Sequence, residues 1–339
     1  MFNYIPKYIP KTKILYIILL MLIMVGTLVA QPKSYSLNRE EFTAPKPNIE
    51  SLWQEPPNIS SLDLYFGEGG SQNMPVAPFK YIKKDIGGSQ KKFTVEDAKG
   101  IKWKVKVGEE AQGETVAVRL LWATGYYTDM TYYFPKIQVD RLSKNSKLIS
   151  SEIVYGARME RVRKEKKVGR WKWHDNPFIG TKEFDSLKVM MILINNWDLK
   201  QVNNVILESK DKLKYYVSDL GACFGKTGIE MFGRSKNNIK DFSRSKFIKK
   251  VDEKKIDFSF HTRPLFFLIL YPSYYFERAA AGQIAKNVPI EHVRWIGSLL
   301  SKLSDEQLND AFRAANYPPD KAKQFVLVLR NRINQLACL

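Results

Sequence analysis

Cysteine and histidine are scarce. Two cysteines in 339 residues leave no material for a disulfide scaffold or a Cys-rich zinc site. Three histidines leave a His-based metal centre equally short of ligands. Acidic residues are in deficit as well: 35 Asp and Glu stand against 54 Lys and Arg, a formal net charge of +19. A balance that basic attracts an anionic partner, whether phosphate, nucleic acid or a membrane surface. Mean hydropathy is −0.32, too low for a chain that crosses a membrane many times. There is no internal repeat. What is present is enough for a sizeable core. Hydrophobic residues make up 44% and aromatics 13%, which excludes global disorder. The length suits two domains or one large two-lobed domain.

One long apolar run exists, at the N-terminus. Lys7, Lys11 and Lys13 precede Ile14 to Ala30, which carries no charge. As a helix it would cover about 26 Å, slightly short of a bilayer's hydrocarbon core. A positive start, an apolar stretch and a small residue before a polar break describe a secretory signal peptide, with cleavage after Ala30. A retained membrane anchor fits the same residues. In either case the lysines favour the N-terminus inside and the body outside. Residues 1–30 are therefore expected to be a signal peptide or anchor, and the protein secreted, periplasmic or membrane-anchored.

Residues 31–78 carry Pro45, Pro47, Pro56, Pro57, Pro75 and Pro78 and read as a Pro-rich linker. Strand-like alternation follows. Two runs around Ala98-Lys99-Gly100 predict a hairpin, and Gly87-Gly88-Ser89 breaks another extended pair. A helix is expected over about 113–124, with Gly125 suited to its stop. Two further strands flank Lys144-Asn145-Ser146-Lys147. In the second half, Thr181 can cap a helix with the stripe Phe184, Leu187, Met191 and Ile194. Strands at Asn204–Leu207 and Lys214–Ser218 follow. Past Arg263 the pattern is helical. The layout is α+β: a β-rich N-lobe with one helix over 79–157, then a helical C-lobe over 158–339.

The chemistry sits in two strings: Asp198-Leu199-Lys200-Gln201-Val202-Asn203, and Asp219-Leu220-Gly221 one hairpin later. Phosphoryl transfer needs a carboxylate to receive the substrate hydroxyl's proton, oxygen ligands for Mg²⁺ and a cation on the phosphates. A loop between a helix and a hairpin can set Asp198 beside Asn203. The hairpin's second strand delivers Asp219 to the same place.

These motifs resemble the protein-kinase-like superfamily. Asp-x-Lys-x-x-Asn is similar to its catalytic loop and Asp-Leu-Gly to its metal-binding Asp-Phe-Gly. The chain looks closer to the atypical HipA-like and phosphatidylinositol-kinase-like branches, over roughly residues 80–300. The resemblance implies a two-lobed kinase-like fold with ATP and Mg²⁺ as cofactors. It makes Asp198 the catalytic aspartate, with Lys200 neutralising the transferring phosphate. Asn203 and Asp219 would hold the metal. Lys106 would grip the α- and β-phosphates, Glu114 would be its helix partner, and Gly87 and Gly88 would lie in the phosphate-covering turn. Asn196-Trp197 replaces the usual His-Arg, and there is neither a Gly-x-Gly-x-x-Gly nor an Ala-Pro-Glu. An ordinary activation segment and a peptide acceptor are thus not implied, and the acceptor is an unspecified hydroxyl. A pseudokinase or scaffold, or a basic membrane- or polyanion-binding module without catalysis, are the alternatives.

Strand parity puts Lys102, Lys104 and Lys106 on one face, so it leaves Lys104 and Lys106 both open as the phosphate lysine. Glu109 and Glu110 compete with Glu114. His174 is read as a packed loop residue and Cys223 as a small buried hydrophobe. Two basic stretches remain, Arg158 to Lys172 and Arg244 to Lys255. They are either solvated faces or the place where an anionic membrane surface or polyanion is attracted. Nucleic acid is disfavoured, since no recognition motif for it is present.

Overall fold

The computed structural model describes residues 47–85, 91–141, 149–150, 152–209, 212–226, 235–260, 272 and 282–339. Residues 1–30, the expected signal or anchor, lie outside the described residues, as do Gly87 and Gly88. Among the described residues no helix is long and apolar enough to cross a membrane. Everything described belongs to one unit, Ala44–Leu339.

The architecture is α+β. Its first half is a sheet of six strands: β1 (Phe79–Asp85), β2 (Lys91–Glu96), β3 (Lys102–Val107), β4 (Thr131–Asp140), β5 (Ile149–Ser150) and β6 (Ile153–Arg161), in the order β3-β2-β1-β4-β6-β5. β3 also pairs with β6, so the sheet closes on itself. All pairings are antiparallel except β1 with β4. Alternation fills the closed interior with Val95, Trp103, Val105, Val139, Val154 and Met159. Closure also removes free edges from five strands. Asp97 organises the β2–β3 turn: it accepts hydrogen bonds from the backbone of Lys99 and Ile101 (both 2.9 Å) and from Trp103 Nε1 (3.0 Å).

Between β3 and β4 lies α1 (Glu110–Ala123), which starts three residues earlier than the expected 113. That shift puts Glu110 in its first turn, where an acid complements the helix dipole. The helix is buried on nearly every side. The segment 47–78 explains part of this. It forms four short 3₁₀ turns, and Leu52, Ile59 and Leu64 are buried in the main core. Trp53 Nε1 donates to Thr124 O (2.7 Å), Gln307 Nε2 to Ile59 O (2.9 Å) and Arg119 NH2 to Tyr65 O (3.1 Å). The described part of the expected linker is thus a strap laid against α1, because its spaced apolar residues find a core to enter.

The second half contains α2 (Lys182–Leu193), the sheet β7 (Lys166–Arg170), β8 (Asn204–Ser209) and β9 (Lys212–Val217), and the short α3 (Ile239–Arg244). Thr181 caps α2 by accepting from Phe184 N (3.2 Å). A second small sheet, β10 (Ile248–Val251), β11 (Lys255–Phe258) and β12 (Val288–Pro289), was not expected from the sequence. Three helices end the chain: α4 (Ile290–Ser301), α5 (Asp305–Ala314) and α6 (Pro319–Ala337). Ser304 and Gln307 close a capping box on α5. α1, α2 and α4–α6 share one large core with the strap.

Candidate functional site

Lys106 is the centre of the site. It stands near the end of β3, on the outer face, where α1 and the Asp219 loop cover it. Its Nζ lies 2.9 Å from Glu114 Oε2, 2.7 Å from Asp219 Oδ1 and 2.6 Å from Glu110 Oε2. Burial disfavours its ammonium. The carboxylates of Glu114, Asp219 and Glu110 outweigh that and hold Lys106 protonated beyond the usual lysine range. Lys104, two residues back on the same face, is half exposed and pairs with Glu160 at 3.3 Å. Lys106, not Lys104, is therefore the lysine held by both α1 and Asp219. Parity left them equal, and the cover supplied by α1 separates them.

Register explains the density of charge here. Lys106 lies opposite Lys92 on β2 and opposite Arg158 on β6. Three cations in one cross-strand row repel one another unless acids intervene. Glu114 answers this by dividing its oxygens, Oε2 to Lys106 and Oε1 to Arg158 NH2 (3.3 Å). Arg158 NH1 continues to Glu160 Oε2 (3.2 Å). Burial would raise the carboxyls of Asp219 and Glu110. Lys106 opposes it at both, joined by Lys92 and Arg158 at Asp219 and by Lys236 at Glu110, and both end below the usual range.

Asp219 has φ +57°, a left-handed backbone that aspartate adopts more readily than most residues. Two residues later the chain passes so close to α1 that only glycine fits. A Cβ on Gly221 would sit 2.6 Å from Glu110 Cβ. The Asp-Leu-Gly string thus carries both a carboxylate for Lys106 and the bare backbone that brings it there.

The loop of Asp198 is tied to the same place. Asn203 O accepts from Ser218 N (2.8 Å), and Asn203 Nδ2 donates to Asp198 O (3.1 Å). Lys200 Nζ lies 3.1 Å from Asp198 Oδ1. A cavity of about 540 Å³ is lined by Lys106, Glu114, Asn203 and Asp219, together with Lys92, Lys104, Arg158, Glu160, Ser218, Asp85, Val105 and Val202. Four of the six described residues singled out from sequence line it. Asp198 and Lys200 form a pair beside Asn203 rather than part of its lining. Asp85 and Lys92, cross-strand partners on β1 and β2, also line it.

Sequence reading passed over Arg158 as one member of a basic stretch, and it ranked Glu110 behind Glu114. Both had a signal. Arg158 falls on the strand that must neighbour β3 if the sheet closes, and Glu110 is one helical turn before Glu114. Lys236, which pairs with Glu110, follows a stretch that gave no pattern. Glu110, Glu114 and Asp219 each offer an oxygen within 4.8 Å of the others, a set that could hold a metal ion and that here surrounds the Lys106 ammonium.

Other candidates fall out. His174 is an exposed loop residue without a described partner in this site, whereas Cys223 is fully buried and burial pushes its thiol up. A second cavity of about 550 Å³ lies along residues 161–166 and contains four cations and three acids. No family model matches the sequence, and neither a curated protein nor a solved structure matches it.

Proposed function

We propose that the chain is an atypical kinase-like phosphotransferase. It would move the γ-phosphate of ATP to a hydroxyl acceptor, from a body outside the cell membrane, either released by cleavage of a signal peptide or anchored by the residue 14–30 segment. The observation that supports this reading is the meeting of Lys106, Glu114 and Asp219, from β3, α1 and the loop after β9, with separations of 2.9 and 2.7 Å at one ammonium. The two-lobed kinase-like arrangement belongs to the same proposal.

The oxygen donors of Asn203 and Asp219 would hold Mg²⁺, which neutralises phosphate charge when bound. The cavity lining carries four cations, Lys92, Lys104, Lys106 and Arg158, and four acids, Asp85, Glu114, Glu160 and Asp219. Without nucleotide these charges balance. Asp219 would hold the metal and would then leave the Lys106 ammonium for phosphate oxygens, while Glu114 would keep that lysine in place. Asp198 takes the proton of the acceptor hydroxyl as its oxygen bonds to the γ-phosphorus and the bond to the β-phosphate oxygen breaks. Lys200 offsets charge on the transferring group.

Mg-ATP binding tests the reading. Asp219→Ala and Lys106→Met are each expected to weaken it by about 100-fold or more, the scale for removing a charged buried partner. Tight binding that survives Asp219→Ala would sink the assignment. Phosphate transfer lost in Asp198→Ala marks an enzyme; Mg-ATP binding with no transfer to any acceptor marks a pseudokinase.

A further inference from the structure

Arg158 is a buried residue at this site that the proposed chemistry does not use. It is 2% exposed, and its guanidinium is split between two acids rather than placed bidentately on one. Its Nε is buried without a hydrogen-bond partner. A buried, incompletely satisfied cation costs stability, and an apolar side chain of similar size would often serve packing better. Arg158 also faces Lys106 directly across the β3–β6 register, where a second cation is unfavourable in itself. Its position makes sense through Glu114. That carboxylate has one oxygen on each cation, so its orientation is fixed from both sides. Glu160 fixes Arg158 in turn, and Lys104 closes the outer end at 3.3 Å.

We propose that Arg158 is a positioning residue for the nucleotide site. It holds Glu114 in the orientation that aims Lys106 into the cavity, within a relay Glu160–Arg158–Glu114–Lys106. This rests on the nucleotide reading above and adds a residue that the kinase resemblance does not supply. Arg158 acts through Glu114 and needs no contact with phosphate.

A double-mutant cycle on Mg-ATP affinity separates that role from its rivals. Arg158→Met is expected to raise Kd about tenfold in the wild-type background and less than about twofold in Glu114→Gln, the signature of residues acting as one unit. Arg158→Lys keeps the charge but cannot fork between two carboxylates, so it should lose most of the same affinity. If Arg158→Met does not fold, the lysine variant carries the cycle. An equal loss in both backgrounds would mean that Arg158 touches the nucleotide itself, and no loss would mean that it only fills space. Either result overturns the proposal. A wild-type protein that does not bind Mg-ATP would overturn the nucleotide reading instead. The same cycle read on Tm then still tests the clamp, which fails if Arg158 and Glu114 show no coupling.

Discussion

At the scale of single residues, the clearest constraint is at Gly221. Its neighbour is the Cβ of Glu110, not the far end of a flexible chain, so the space cannot be recovered by a rotamer change. Gly221→Ala must push the Asp219 loop off α1 or shift the first turn of the helix. Overpacking of this kind costs about 1–3 kcal/mol, and here it should also lengthen the Lys106–Asp219 contact. Denaturant melts are expected to show a loss of that size, together with weaker Mg-ATP binding under the proposed function. Unchanged stability would show that the loop relaxes freely. The sequence made this glycine visible only as the third letter of a motif. Its reason, the approach to Glu110, is tertiary and has no local signal. The same holds for Lys106 against Lys104. Alternation correctly put both on one outer face, but which of them a helix covers depends on the path of α1.

At the scale of elements, local patterning was a good guide wherever a period or cap was present. The β2–β3 hairpin, the Thr181-capped α2 and the β8–β9 hairpin all lie within a few residues of where alternation, capping and turn residues put them. The segment 47–78 differs for a physical reason. Proline and serine exclude regular helix or strand there, and irregular backbone with such composition reads as a spacer. Irregular backbone can still pack if its side chains and carbonyls find partners, and here Leu52, Ile59 and Leu64 enter the core. Leu64→Ala provides the test. For a fully buried leucine the expected loss is about 2–5 kcal/mol, read as a lowered denaturant midpoint. A change below about 0.5 kcal/mol is the surface behaviour that a linker would give. Because Arg119 of α1 donates to the backbone of neighbouring Tyr65, the same substitution should loosen α1 and with it the hold of Glu114 on Lys106.

At the scale of the whole molecule, the basic excess divides into parts with different physics. Some of it is buried and answered, Lys106 by three acids and Arg158 by two, while the partly exposed Arg163 pairs with Asp129. Some is exposed, as Lys249, Lys250, Lys254 and Lys255 on the β10–β11 hairpin. Composition alone could not make that division, because it depends on which cations the closed sheet turns toward α1. The buried part predicts how stability varies with pH. Asp219 and Glu110 are held below the ordinary carboxylate range, despite burial, by Lys106 and its neighbouring cations. Their contribution is complete above the unfolded value near 4 and is lost as pH falls toward their lower native values. Lys106 is raised, so its contribution is complete below about 10.5 and lost only as pH climbs past that into its native range. Asp129 runs the other way. Burial, reinforced by Glu160, pushes it up against the pull of Arg163, so its native form favours the proton. Stability therefore declines as pH rises from about 4 through its raised value. Denaturant midpoints should peak on the acid side of neutrality and drop steeply below pH about 4. In Lys106→Met the Asp219 and Glu110 carboxyls lose the cation that depresses them, so the steep acid limb should flatten. An acid limb of unchanged slope in that variant would show that these carboxyls are held by groups other than Lys106.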